Sequence, residues 1–123
     1  MIFYIIKATI RPGHLDAFTA ANAELMDFIT TNEPHYAAYS FMNDDQTEVT
    51  YVNVFDDAEA MAMHQRLIAD EGILDDLAPT FDTTSREIYG LLTPDLVQKA
   101  AGADGVFSGA SAGTFDRHIS TGD

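Results

Sequence analysis

Few side chains in this chain of 123 residues are equipped for chemistry, and their types narrow the options quickly. There is no cysteine, which excludes a thiol nucleophile, a disulfide framework and every thiolate metal site. The four histidines, His14, His35, His64 and His118, show no His-x-x-x-His spacing and no carboxylate ladder beside them, so no metal is expected. The acidic pairs Asp44-Asp45, Asp56-Asp57 and Asp75-Asp76 lack the alternating oxygen ligands of a calcium loop. A glycine-rich phosphate loop after a strand and a basic stripe are missing, the glycine-rich FSGASAG at 107–113 follows no helix-feeding strand and reads as flexible chain rather than a nucleophile elbow, and no bound cofactor is implied.

His64 is the first candidate. With Met61, Leu67 and Ile68 at helical spacing it points inward, where both ring nitrogens need partners. An inward imidazole can shuttle a proton or hold a substrate hydroxyl, because its pKa can be moved near neutrality. It can equally be a structural histidine bonded to the sheet or the first helix. Asn53 and Tyr51 lie two residues apart on one strand face. An amide in an otherwise apolar strand needs partners if buried. It can orient a phenol or carbonyl in a cavity beside Tyr51 or Tyr39, or else bond within a subunit interface. His64 and Asn53 are thus the candidate catalytic residues, with Tyr51, Tyr39 and Met61 as substrate contacts. His35, after Pro34, reads as a surface residue, and Arg86 and Arg117 as partners of nearby carboxylates.

The elements that must position these groups follow from periodicity. Residues 2–10, IFYIIKATI, form a strand with no fully polar face. Pro12 and Gly13 turn the chain. Leu15, Phe18, Ala21 or Asn22, Leu25, and Phe28 or Ile29 then recur as one helical stripe over 13–30, which Pro34 stops. Residues 35–42 and 48–55 make a hairpin across NDDQ. Asp56 or Asp57 caps a second helix over 57–69, and residues 81–90 alternate as a fourth strand. The order predicts an α+β, ferredoxin-like split βαβ fold over 1–90: a four-stranded antiparallel sheet with two helices on one face. Phe3, Ile5, Tyr39, Phe41 and Tyr51 exceed what two helices can cover, so the free sheet face is expected to pack against a second copy. Residues 91–123 read as an extension of the same domain, with a short helix from Thr93 and a stretch that is either an edge hairpin or a loose tail.

Charge sets the remaining bounds. Twenty acidic and six basic residues leave −14, so nucleic acid and anionic membrane surfaces are poor partners. No apolar run approaches the roughly 20 residues of a membrane helix. The N-terminus lacks the order of a signal peptide, which makes a cytoplasmic location the expectation. A dispersed acidic surface also suits a halophilic host, where salt screens its self-repulsion.

The element order, together with TYVNVFDDAEAMAMHQRL at residues 50–67, resembles the dimeric α+β barrel superfamily. Within it the chain is similar to the small antibiotic biosynthesis monooxygenase and quinol monooxygenase-like proteins. Phe55 stands where that family usually has tryptophan and Asn53 where it often has glutamate, while Ala60 and His64 match its helix. The resemblance implies a homodimer with a cavity in each protomer between sheet and helices, and it adds Phe55 to the substrate contacts. It also implies a small apolar or aromatic ligand, with oxidation of an aromatic or quinol-like substrate by molecular oxygen needing neither metal nor flavin. The alternative is a dimer that binds a small ligand without turnover, or a barrel whose cavity is closed by side chains.

Overall fold

A computed structural model of the chain describes residues 1–32, 35–100, 102–109 and 111–113. The elements run β1 (Ile2–Ile10), α1 (Leu15–Asn32), β2 (His35–Met42), β3 (Glu48–Phe55), α2 (Ala58–Glu71), a 3-10 turn (Ala78–Thr80), β4 (Phe81–Gly90), α3 (Pro94–Lys99) and β5 (Gly105–Ser108). The sheet order is β2-β3-β1-β4-β5, antiparallel except for the last pair. The expected split βαβ fold is present, with one addition. Of the stretch read as either an edge hairpin or a loose tail, whose second half at 114–119 lies outside the described residues, Gly105–Ser108 form a strand, β5, parallel to β4. Its route back passes through α3, and a helical crossover returns the chain in the same direction.

Register fixes what each face carries. Ile6 lies opposite both Tyr51 and Arg86, and Tyr51 lies opposite Ser40, so these four share the face toward the helices. Tyr39 is opposite Val52 and belongs to the outer face, where its ring stacks on Phe41 with centroids 5.6 Å apart. Tyr51 therefore leaves the outer aromatic set to which its composition had assigned it. It is one residue out of phase with Tyr39, and period-two alternation sends the two rings to opposite sides. A β-bulge after Lys7 changes the register on β4, pairing Lys7 with Ser85 and Ala8 with Thr83. The extra residue, Thr84, lets Thr83 and Arg86, three apart, face the same way.

Helix α1 buries Phe18, Ala21, Leu25 and Ile29, the stripe expected from its period. Helix α2 begins at Asp57, whose carboxylate accepts from the Ala60 amide at 2.8 Å, and ends at Gly72, whose φ of 61° suits a residue without Cβ. The short helix expected from Thr93 is α3, capped by the Thr93 side chain, and it packs Leu96 against Ile2, Ile88, Phe55 and Met61. The core thus falls into two clusters. One holds Phe18, Leu25, Val49, Tyr51 and Leu77 under α1, and the other lies under α3 and the start of α2. Each large side chain buried there contributes on the order of 1.5–3 kcal/mol.

The Asp57 cap holds the first turn of the helix that carries His64. Replacing it by alanine is expected to cost about 1 kcal/mol in urea unfolding; a midpoint equal to wild type would show that packing alone sets the helix start.

Candidate functional site

Between the two clusters the helix face of the sheet and the helices stand apart, leaving a cavity of about 290 Å³. Its walls are mainly aliphatic, with Leu25 and Ile29 from α1, Ile68 from α2, and Leu74 and Leu77 from the segment before the 3-10 turn. Polar groups reach it from the sheet and from α2: Tyr51 and Asn53 on β3, Thr83 and Arg86 on β4, and His64 on α2.

The Tyr51 hydroxyl donates to Asn22 Oδ1 at 2.7 Å, and Asn22 Nδ2 donates to Ser40 Oγ at 3.1 Å. The chain of bonds ties β3 and β2 to α1. Burial raises the Tyr51 phenol well above its ordinary pKa, so it stays neutral and acts as a donor. Asn53 is nearly fully buried, yet among the described residues its side chain makes a single long bond, from Nδ2 to Tyr4 O at 3.4 Å. An amide has two donors and a two-lone-pair oxygen, so most of its bonding capacity remains for a ligand. The His64 ring lies 5.3 Å from the Phe55 ring, tilted by 44°. Burial lowers its pKa to about 4, which leaves a neutral imidazole at physiological pH.

Of the residues singled out from sequence, His64, Asn53 and Tyr51 converge on this cavity. Tyr39 borders it from the edge strand while its ring stacks outside. Phe55 and Met61 do not border it. Both are almost completely buried in the second core cluster, where Phe55 backs the imidazole instead of facing the void. Two residues carry more than their sequence reading allowed. Asn22, a polar group on an apolar helical stripe, is the partner of Tyr51. Arg86, expected to pair with a carboxylate, has no such side-chain partner among the described residues. Its signal was its parity: it alternates with Ile88, whose side chain is buried. The side chain of His35, together with Arg117, lies outside the described residues. Among those residues no group of three or more histidines and carboxylates is placed to hold a metal, and no helix is long and apolar enough to cross a membrane.

Residues 1–68 match the family described as antibiotic biosynthesis monooxygenase, and the chain belongs to that family. Solved structures agree on the fold. MupZ from Pseudomonas fluorescens is 17% identical, with a TM-score of 0.80 over 96% of both chains. SnoaB from Streptomyces nogalater, a cofactor-independent oxygenase, is 11% identical with a TM-score of 0.62, over 72% of this chain and 89% of its own. A conserved protein from Methanosarcina mazei is 17% identical with a TM-score of 0.60, over 71% of this chain and 86% of its own. MupZ thus shares the C-terminal extension as well as the barrel. No curated protein sequence matches the chain.

A histidine held neutral by burial makes stability depend on acid. The unfolded chain binds a proton near pH 6.5 that the native site refuses until about pH 4, so this contribution is lost as the pH falls through that window. Its full size is about 3 kcal/mol. Between pH 7 and pH 4 the wild type is expected to lose stability relative to His64→Gln, read from paired urea titrations. Parallel curves would contradict the burial of the imidazole.

Proposed function

We propose that the cavity binds a small phenolic or quinol-like molecule and that the protein oxidises it with molecular oxygen, without a bound cofactor. The observation that carries this reading is the placement of Asn53, Tyr51 and His64 on one mainly apolar cavity, in a chain of the antibiotic biosynthesis monooxygenase family. SnoaB, a cofactor-independent oxygenase of the same fold, supports it by analogy.

The roles follow from the environments. An apolar cavity excludes water and holds the aromatic ring, and Asn53 orients the phenol oxygen. His64 takes the phenol proton. An imidazole with so low a pKa is a weak base alone, but the phenolate formed beside it stabilises the imidazolium, so the two charges arise together. The Asn53 amide supplies a donor for that anion, while Tyr51, kept neutral and donating its single proton to Asn22, adds no opposing charge to the wall. The electron-rich phenolate then reduces oxygen. One oxygen atom becomes a new ring carbonyl and the other leaves as water, with all four electrons drawn from the phenol as it becomes a quinone.

Oxygen uptake with a panel of phenols and naphthols, run under ¹⁸O₂, tests this. One labelled atom is expected in the quinone, and His64→Gln should lower kcat about 100-fold. Binding without oxygen uptake would favour the ligand-binding alternative, and full turnover by the variant would remove His64 from the mechanism.

The same reading includes a homodimer formed through the outer sheet face. Phe3, Tyr39, Phe41 and Phe107 are exposed there, and Phe107 stacks flat on Tyr89 at 4.6 Å. Strands of 9, 8, 8, 10 and 4 residues, at about 3.3 Å per residue and about 4.8 Å spacing, present on the order of 600 Å² in projection, approaching the roughly 800 Å² per partner of a stable interface. Sedimentation should give twice the chain mass, and Phe41→Glu should shift the protein toward monomer. A wild-type monomer at micromolar concentration would refute the dimer.

A further inference from the structure

The acidic surface makes one arginine conspicuous. Of the basic residues described, Arg11 pairs with Asp82 at 2.7 Å and Lys99 with Asp95 at 3.2 Å, while Lys7 and Arg66 are exposed. Arg86 is half-buried, and among the described residues no carboxylate lies within ion-pairing distance of its guanidinium. Its neighbourhood explains why. Asp104 is the adjacent acid, but its Oδ2 accepts from the Arg86 backbone N–H at 2.8 Å, while the Asp104 amide donates to Arg86 O at 2.8 Å. The carboxylate is therefore turned to the strand backbone, zipping the start of β5 to β4, and leaves the guanidinium fork open.

That fork stands between two spaces. On one side is the aliphatic cavity. On the other is a polar surface depression of about 400 Å³ lined by Thr83, Thr84, Ser85, Arg86, Gly102 and Asp104. Thr83 and Arg86 border both spaces, a consequence of the bulge that puts them on one face. Gly102 closes the depression from the extension, with φ of 96°, and a Cβ built on it would sit 3.6 Å from an Arg86 terminal nitrogen. The depression thus exists because the chain continues beyond β4 through α3 into β5.

We propose that Arg86 is an anion anchor, and that the ligand is an aromatic body bearing a carboxylate: the ring occupies the inner cavity and the carboxylate meets the guanidinium at the edge of the depression. This rests on the aromatic-binding reading of the inner cavity. A planar guanidinium matches a carboxylate through two parallel N–H···O bonds, and Thr83 can add a hydroxyl donor. A monoanion is favoured over a phosphate dianion, because Asp104 and the −14 surface penalise each added negative charge.

Isothermal titration with 2-naphthol and with 6-hydroxy-2-naphthoic acid, the same ring with and without a carboxylate, separates the two claims. The wild type should bind the acid about 10-fold tighter or more. Arg86→Gln should bring the two Kd values together, and Arg86→Lys, which keeps the charge and loses the fork, should leave an intermediate ratio. Naphthol binding with no advantage for the acid overturns the anchor and spares the cavity. Binding of neither overturns both. An advantage that survives in Arg86→Gln assigns the anion to another group and overturns the proposal. Phenyl phosphate binding tighter than benzoate would replace the carboxylate by a phosphate ester and refute the stated ligand class.

Discussion

The inner face of the sheet has to carry polar side chains inside an apolar layer, and the rest of the site depends on how that is resolved. A buried polar group left without a partner costs about 1–3 kcal/mol. Tyr51, Asn22 and Ser40 avoid the cost by bonding to one another across three elements. Asn53 and His64 are resolved differently. Asn53 keeps a single long bond among the described residues and so retains capacity at the cavity, and His64 borders the same space as a neutral imidazole. A fully satisfied network would have been a structural core.

Secondary structure sets that division through phase. Period-two alternation brings Tyr51 and Asn53 inward together and sends Tyr39 and Phe41 outward. The bulge at Thr84 then adds a second inward-facing pair, Thr83 and Arg86, which regular alternation would have separated. Helix α2 delivers His64 from the opposite wall, fixed by the Asp57 cap at one end and Gly72 at the other. The extension adds a polar compartment next to an apolar one. The likeness to MupZ covers 96% of the chain, whereas those to SnoaB and the Methanosarcina mazei protein cover 72% and 71%.

Much of this was legible in the residues. Hydrophobic period, the Asp cap and the breaks at Pro12-Gly13 and Pro34 outlined the elements of the first 90 residues to within two or three residues, because local pattern and tertiary packing agree there. His64 was visible as a polar residue on an apolar helical stripe, and Asn53 as an amide in an apolar strand. Phe55 and Met61 were less legible. An inward apolar residue next to a cavity and one inside the core have the same sequence pattern, and only the position of α3 decides between them. The bulge had no signature beyond a polar run at 82–85, so the open guanidinium of Arg86 followed only from register. The stretch that holds β5 stayed open between an edge hairpin and a loose tail for a related reason: four residues, two of them Gly and Ser, carry too little pattern to specify a strand's direction.

The space between the two core clusters is expected to take an aromatic hydroxyl compound, and every role assigned to Asn53 and His64 depends on that. A crystal structure of the protein soaked with 2-naphthol under anaerobic conditions tests it most directly. The expected result is ring density against Leu25 and Ile68, with the hydroxyl oxygen within about 3.2 Å of the Asn53 amide or the His64 imidazole. A cavity filled by its own side chains, with Leu74 and Leu77 collapsed onto Tyr51 and no ligand between them, would contradict it.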